Sequence, residues 1–174
     1  MTGPATPDLR AVSDRAAIIE VACRYTWALD TKRFDDLDHV FLPDATGQLG
    51  SPTLLEGRPA IKERIRQALT PLDVSQHLVG SHVVELDPDD PDRATHRCQL
   101  HAQHVRSAAA DELATAVESG ADVSVEAQAA PSQFIVAGIY SDRFVRTGEG
   151  WRIEHRTLTV TWTSGNPGVN RPRR

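Results

Sequence analysis

The apolar positions of this chain change their period once, and that change restricts the fold more than any other feature. In the first part they recur at helical spacing. "SDRAAIIEVACRYTWALD" places Ile18, Ala22, Tyr25 and Leu29 on one helical face, with Ser13 as the expected N-cap and Asp14 favouring the positive helix end. "TKRFDDLDHVFLPDA" reads as a second, short helix ended by Pro43. "EGRPAIKERIRQAL" reads as a third, with Ala60, Ile61, Ile65 and Leu69 inward, Lys62, Glu63 and Arg66 outward, and Pro71 as its stop. Beyond it, "HLVGSHVVELD", "ATHRCQLHAQHV", "FIVAGIYSDRFVRT" and "WRIEHRTLTVTWT" are rich in Val, Ile, Thr and aromatics, and read as strands. "DPDDPD" and "GEG" are the clearest turns between them.

Strands joined by turns pair antiparallel, and helices gathered ahead of the strands lie over one sheet face. The expected fold class is therefore α+β, with three N-terminal helices packed on a strongly curved, mostly antiparallel sheet and a hollow between the layers. At 174 residues the chain suits one domain with a real core. That domain is expected over 10–164, between a disordered tail, 1–9, and a mobile tail, 165–174. The segment Ser107 to Gln133, "SAAADELATAVESGADVSVEAQAAPSQ", separates two strands that a short turn could join. Being Ala-rich and poor in large apolar side chains, it is expected to be disordered or a loose flap, dispensable for folding.

Composition narrows the partners by exclusion. The net charge is -5 with both signs interspersed, and the one basic cluster is the terminal "RPRR", so no nucleic-acid partner is expected. No run approaches the ~18 apolar residues of a membrane span. "MTGPATPDLR" lacks the apolar core of a signal peptide. A soluble, cytoplasmic protein without a membrane partner is expected. Cys23 and Cys98 read as buried thiols rather than a disulfide. "RTLTVTWTSG" alternates Leu158, Val160 and Trp162 with threonines, an apolar row that a homodimer or homotrimer would cover.

The order of "RYTWALD", "FDDLDHVFLPDA", "EGRPAIKERI", "QHLVGSHVVELD" and "GIYSDRFVRTGEGWRIEHRTL" resembles the nuclear transport factor 2-like superfamily, nearest its SnoaL-like branch. The resemblance spans about residues 10 to 162 and implies a cone-shaped α+β barrel whose open end admits a small molecule. It is similar to the group holding scytalone dehydratase, hexachlorocyclohexane dehydrochlorinase and the bile-acid dehydratases. There a cavity His–Asp pair removes a proton while a leaving group departs. By that resemblance Asp30 matches the aspartate ending the first helix, and His77 the histidine opening the strand after the third. Tyr25 matches the tyrosine five residues before the aspartate in the bile-acid enzymes, and Arg156 an arginine of the last strands. The insertion 107–133 is not part of the family core. The second tyrosine and the pocket asparagine of scytalone dehydratase have no counterpart, so substrate identity does not carry over.

Residue chemistry bears on the same positions. Asp30 follows an apolar helical turn, where the helix dipole is already negative, so a positive or hydrogen-bonding partner is required; His77 or Arg156 would serve. A neutral imidazole is suited to taking a proton near pH 7, and a carboxylate on its other nitrogen fixes the tautomer. Tyr25 lies about 140° from Asp30 around an ideal helix, so both reach one cavity only if the pocket wraps the helix end. A core tyrosine and a catalytic phenol both fit it. Arg156 has the opposite strand parity to Trp151 and Ile153, and needs a bulge to face inward with them.

His101 and His104 look like a metal pair, but three residues along a strand point to opposite faces, and no metal site is expected. His104, in register with Cys98, Leu100 and Ala102, and Tyr140, in register with Phe134, Val136 and Phe144, are candidate cavity liners, as is Trp27. Phosphate loops and nucleophile elbows are absent from the sequence. The expectation is a cofactor-independent lyase of the dehydratase type, acting on a small, mostly apolar molecule through His77, Asp30, Tyr25 and Arg156. Polyketide-type cyclisation or double-bond isomerisation by the same residues is the alternative. A non-catalytic ligand carrier or interaction domain is the alternative of another class.

Overall fold

A computed structural model describes residues 8–106 and 133–170. The Ala-rich segment other than Gln133, residues 1–7 and residues 171–174 lie outside the described residues.

Helix α1, Leu9–Asp30, begins earlier than its apolar pattern suggests. Asp8, not Ser13, is the N-cap, accepting the backbone N–H groups of Arg10 at 3.0 Å and Ala11 at 3.3 Å. Asp14 therefore does not sit at the helix start. Buried within α1, it accepts from Arg146 at 2.6 Å and from the Trp151 indole at 3.3 Å. Ile18, Ala22, Tyr25 and Leu29 form the buried face as expected.

The second expected helix is only a 3-10 turn, Phe34–His39, and the chain then enters a strand, β1, Phe41–Leu49. Pro43 lies inside β1 rather than ending a helix. It is tolerated because the β1 register with its neighbour shifts between Phe41 and Thr46, where the ladder already lacks regular bonds. A two-residue strand β2, Leu55–Glu56, pairs with β1. Helix α2, Arg58–Leu69, buries Ile61, Ile65 and Leu69. Lys62 is not simply outward, since its ammonium bonds Asp35 and Asp38 at 2.9 Å each and ties α2 to the 3-10 turn.

Four long strands complete the chain: β3, Val74–Leu86, β4, Arg93–Val105, β5, Gln133–Thr147, and β6, Gly150–Gly165. The sheet order is β2-β1-β6-β5-β4-β3, with β1 parallel to β6 and every other neighbour antiparallel. The result is a curved, mostly antiparallel sheet with helices, the expected fold class. On β4, Ala94, His96, Cys98, Leu100, Ala102 and His104 are all buried, so the period-two alternation holds along the strand. His101, three residues from His104, faces outward.

Two irregularities re-aim side chains toward the core. On β3, Ser81 and His82 oppose the single residue Cys98, and Ser81 takes a positive φ of 53°. This bulge reverses the alternation, so His82 follows His77 and Val79 onto the inner face. On β6, Glu154 is the extra residue between the pairs Phe144↔Ile153 and Arg143↔His155. That is the bulge Arg156 needed, and its side chain is fully buried.

The C-terminal boundary differs from expectation. β6 runs to Gly165, and a 3-10 turn, Pro167–Asn170, packs Val169 into the core at 2% exposure. Cys23 and Cys98 are free thiols, with Cys98 buried. Among the described residues no helix is long and apolar enough to cross a membrane.

Candidate active site

Between α1, α2 and the sheet lies a cavity of about 280 Å³. Its wall is mostly apolar, with Leu29, Ile65, Phe134, Val136 and Leu158 among its residues. The polar groups are few: His77, His104, Tyr25, Tyr140, Thr163 and Asn170, with Arg64 at the exposed side of α2.

Asp30, the last residue of α1, meets the start of β3. Its carboxylate takes three hydrogen bonds: from the Ser75 hydroxyl at 2.9 Å, from the His77 backbone N–H at 2.7 Å, and from His77 Nδ1 at 2.6 Å. Burial alone would raise the Asp30 carboxyl, but the His77 ring and backbone bonds, with Ser75, outweigh it and hold the group below its ordinary value. An ionised carboxylate only accepts, so the ring proton of neutral His77 sits on Nδ1. Nε2 is then the basic atom of a ring that lines the cavity. The carboxylate that a helix C-terminus disfavours is thus answered by His77.

His104 stands beside it, the ring centroids 5.4 Å apart. Its Nδ1 lies 2.9 Å from Asn170 Oδ1, which fixes the proton there, and its buried Nε2 has no hydrogen-bond partner. Burial, aided by the charge His77 can carry, pushes His104 down to about 4. It stays neutral, and Nε2 offers a lone pair.

Tyr25 and Tyr140 pack edge to face at 5.6 Å. Burial raises both phenols, so they remain protonated donors near neutral pH. Arg156 does not line the cavity as expected. It lies behind the tyrosines, its guanidinium carbon 4.1 Å from the Tyr25 centroid and 4.3 Å from that of Tyr140. Asp142 holds Arg156 Nε and Nη2 at 2.7 Å each, and accepts from His96 Nδ1 at 2.9 Å. Any effect of Arg156 on a cavity ligand passes through the phenols.

The structure thus brings His77, Tyr25, His104 and Tyr140 to one cavity, with Asp30 directly behind His77. Trp27 does not belong there. Two residues on from Tyr25, it falls about 200° round the helix; it is 67% exposed, beside Arg24, Arg33 and His39. Sequence reasoning missed Asn170, which lay in an expected tail, and Asp142 and His96. The period-two parity of His96 with His104 was a readable signal; the bulges that bring Arg156 and His82 to His96 and Asp142 had none.

The SnoaL-like domain family matches residues 10–157. The uncharacterized protein Rv2910c of Mycobacterium tuberculosis H37Rv is 32% identical over 150 residues, covering 85% of this chain and 86% of that one. A provisional scytalone dehydratase from Novosphingobium aromaticivorans DSM 12444 superposes with a TM-score of 0.69 at 19% identity, covering 90% of each chain. The hexachlorocyclohexane dehydrochlorinase LinA-type3 of Novosphingobium barchaimii LL02 does so with 0.69 at 12% identity, covering 97% of this chain and 100% of that one. At these identities the two structures establish the fold alone.

Proposed function

Because the chain belongs to the SnoaL-like domain family, within the nuclear transport factor 2-like superfamily, we propose that it is a cofactor-independent lyase that eliminates water from a small, mostly apolar molecule. The observation that carries this reading is His77, whose Nδ1 is tied to Asp30 at 2.6 Å while the ring borders an apolar cavity. The elimination chemistry named for the two structural neighbours agrees with it.

In this reading His77 Nε2 takes a proton from a carbon beside a substrate carbonyl. The Asp30 carboxylate stabilises the imidazolium that forms. The C–H electron pair becomes the new C=C bond, and the C–O bond to the β-hydroxyl breaks. Proton and hydroxide leave as water, so nothing is oxidised or reduced. Tyr25 and Tyr140 donate to the oxygen on which negative charge develops, and the Arg156 cation behind them strengthens that donation. His104 Nε2 accepts from a substrate hydroxyl and so selects hydroxylated molecules.

The test is to incubate the protein with a panel of cyclic β-hydroxy ketones in deuterium oxide, following α-carbon exchange by NMR and water loss by mass spectrometry. The enzyme reading expects both with the wild type and neither with His77→Ala. Equal rates in wild type and a folded His77→Ala variant would contradict it and favour a carrier. Exchange with a shifted double bond or a new ring, and no water loss, would redirect the assignment to an isomerase or cyclase.

A further inference from the structure

Away from the cavity's polar wall, the geometry points to a binding site for a zinc-class divalent cation formed by His82, His96 and Cys98. One ligand atom from each of the three lies within 4.8 Å of the others. His96 and Cys98 are two apart on β4 and share its buried face, the spacing at which two strand side chains can grip one ion. His82 comes from β3, and only because the bulge at Ser81 turns it inward opposite Cys98. The set, two imidazoles and a thiol, is one that borderline-soft metals prefer.

A second observation supports a ligand rather than chance contact. Metal-bound histidines usually hold their other ring nitrogen against a carboxylate, which orients the ring and raises its donor strength. His96 has that arrangement: Nδ1 bonds Asp142 at 2.9 Å, so Nε2 is the atom turned to His82 Nδ1, 3.0 Å away. Two nitrogens at that separation need to open only slightly to share an ion at ~2.0–2.1 Å. His82 is half-buried and gives the ion a route from solvent.

Uptake displaces two protons from ligand atoms. His82 moves its Nδ1 proton to Nε2 by exchange with solvent, at no net loss. The Cys98 proton leaves to solvent; burial pushes that thiol up to about 11, and the cation's charge must overcome this. The three ligands leave a tetrahedral ion one position for water. A bound ion would bridge β3 to β4 and stiffen the Asp142–Arg156 pair behind the tyrosines.

The experiment is to titrate reduced, chelator-stripped full-length protein with Zn²⁺ and, for spectroscopy, with Co²⁺ alone. One equivalent should bind at micromolar metal, and cobalt should give a sulfur-to-metal charge-transfer band in the near-ultraviolet. Cys98→Ser should erase the band. His82→Ala, with thermal melting recorded beside it to establish that the variant is folded, should weaken uptake by more than the ~10–100-fold that losing an outer-shell partner costs. His77→Ala should bind as the wild type does. Absence of one-to-one uptake, uptake unchanged in His82→Ala, or loss confined to His77→Ala would overturn the site.

Discussion

Two histidine–aspartate pairs stand out among the described residues, and they differ in what lies beyond the ring. In both, Nδ1 faces the carboxylate: His77 to Asp30 at 2.6 Å and His96 to Asp142 at 2.9 Å. Asp30 gives its remaining capacity to Ser75 and a backbone N–H, and the far side of His77 borders an apolar cavity. Asp142 gives its remaining capacity to Arg156, and the far nitrogen of His96 meets His82 inside the protein. Under the proposed function, the same two side chains make a poised base in one place and a buried ionic brace in the other. The surroundings separate the two: what the second nitrogen meets, and whether the carboxylate also holds a buried cation.

Replacing each member should pull the pairs apart, and the largest effect is expected on catalysis. His77→Ala should lose ~10²–10⁴-fold in elimination rate while the fold survives. Steady-state rates beside thermal melting check this; a lowered melting temperature with normal turnover per folded molecule would make His77 structural. Next in size is the brace. Asp142→Asn leaves a fully buried guanidinium without its counter-charge, and should destabilise the protein by about 3–5 kcal/mol in chemical denaturation. A change under ~1 kcal/mol would show that water or another group already compensates Arg156.

How far the two regions could be read in advance follows the same division. The change of apolar period delivered the fold class, and an aspartate at the disfavoured end of α1 announced that it needed a partner. Family resemblance pointed to His77. β1 stayed hidden because "FLPDATGQL" carries a proline, a glycine and an aspartate where a strand pattern needs β-branched residues. The brace was hidden for another reason. Parity places His82 and Arg156 on the wrong faces, and only bulges at Ser81 and Glu154, which depend on neighbouring strands, correct it. Asn170 escaped because a polar, Gly- and Pro-containing end carries no periodic signal, although Val169 anchors it.

A third, smaller effect is a pH dependence of stability that His104 confers. His104 falls from its ordinary 6.5 to about 4 on folding, chiefly through burial. A group whose folded value is depressed stabilises fully above its unfolded value, and that contribution is lost as pH falls from 6.5 toward 4. The loss amounts to at most ~3 kcal/mol. His104→Gln should flatten the stability profile in that window; an unchanged acid slope would mean that His104 protonates freely when folded.

The smallest effect should come from the outer sheet face, where Leu78 and Trp162 are exposed and Trp162 is 50% uncovered. The expected row of Leu158, Val160 and Trp162 is broken at Thr161, an extra residue in the ladder to β5 that leaves Leu158 and Val160 on the cavity side. We propose that this face mediates self-association. Trp162→Lys should shift sedimentation toward monomer with stability changed by less than ~0.5 kcal/mol. A wild type that is monomeric across micromolar concentrations would remove the idea.

If the Asp30 pair is chemical and the Asp142 pair structural, one paired measurement separates them directly. Asp30→Asn and Asp142→Asn are prepared together, and each is assayed for α-carbon deuterium exchange on the same β-hydroxy ketone and for melting temperature. Crossed losses are expected. Asp30→Asn should fall nearly as far in exchange as His77→Ala, with little change in melting and no further loss in the Asp30→Asn/His77→Ala double variant. Asp142→Asn should melt much lower and keep most of its exchange per folded molecule. If Asp30→Asn instead melts as low as Asp142→Asn while its folded fraction exchanges at the wild-type rate, the Asp30 pair is a brace as well, and the proposed catalytic base is refuted.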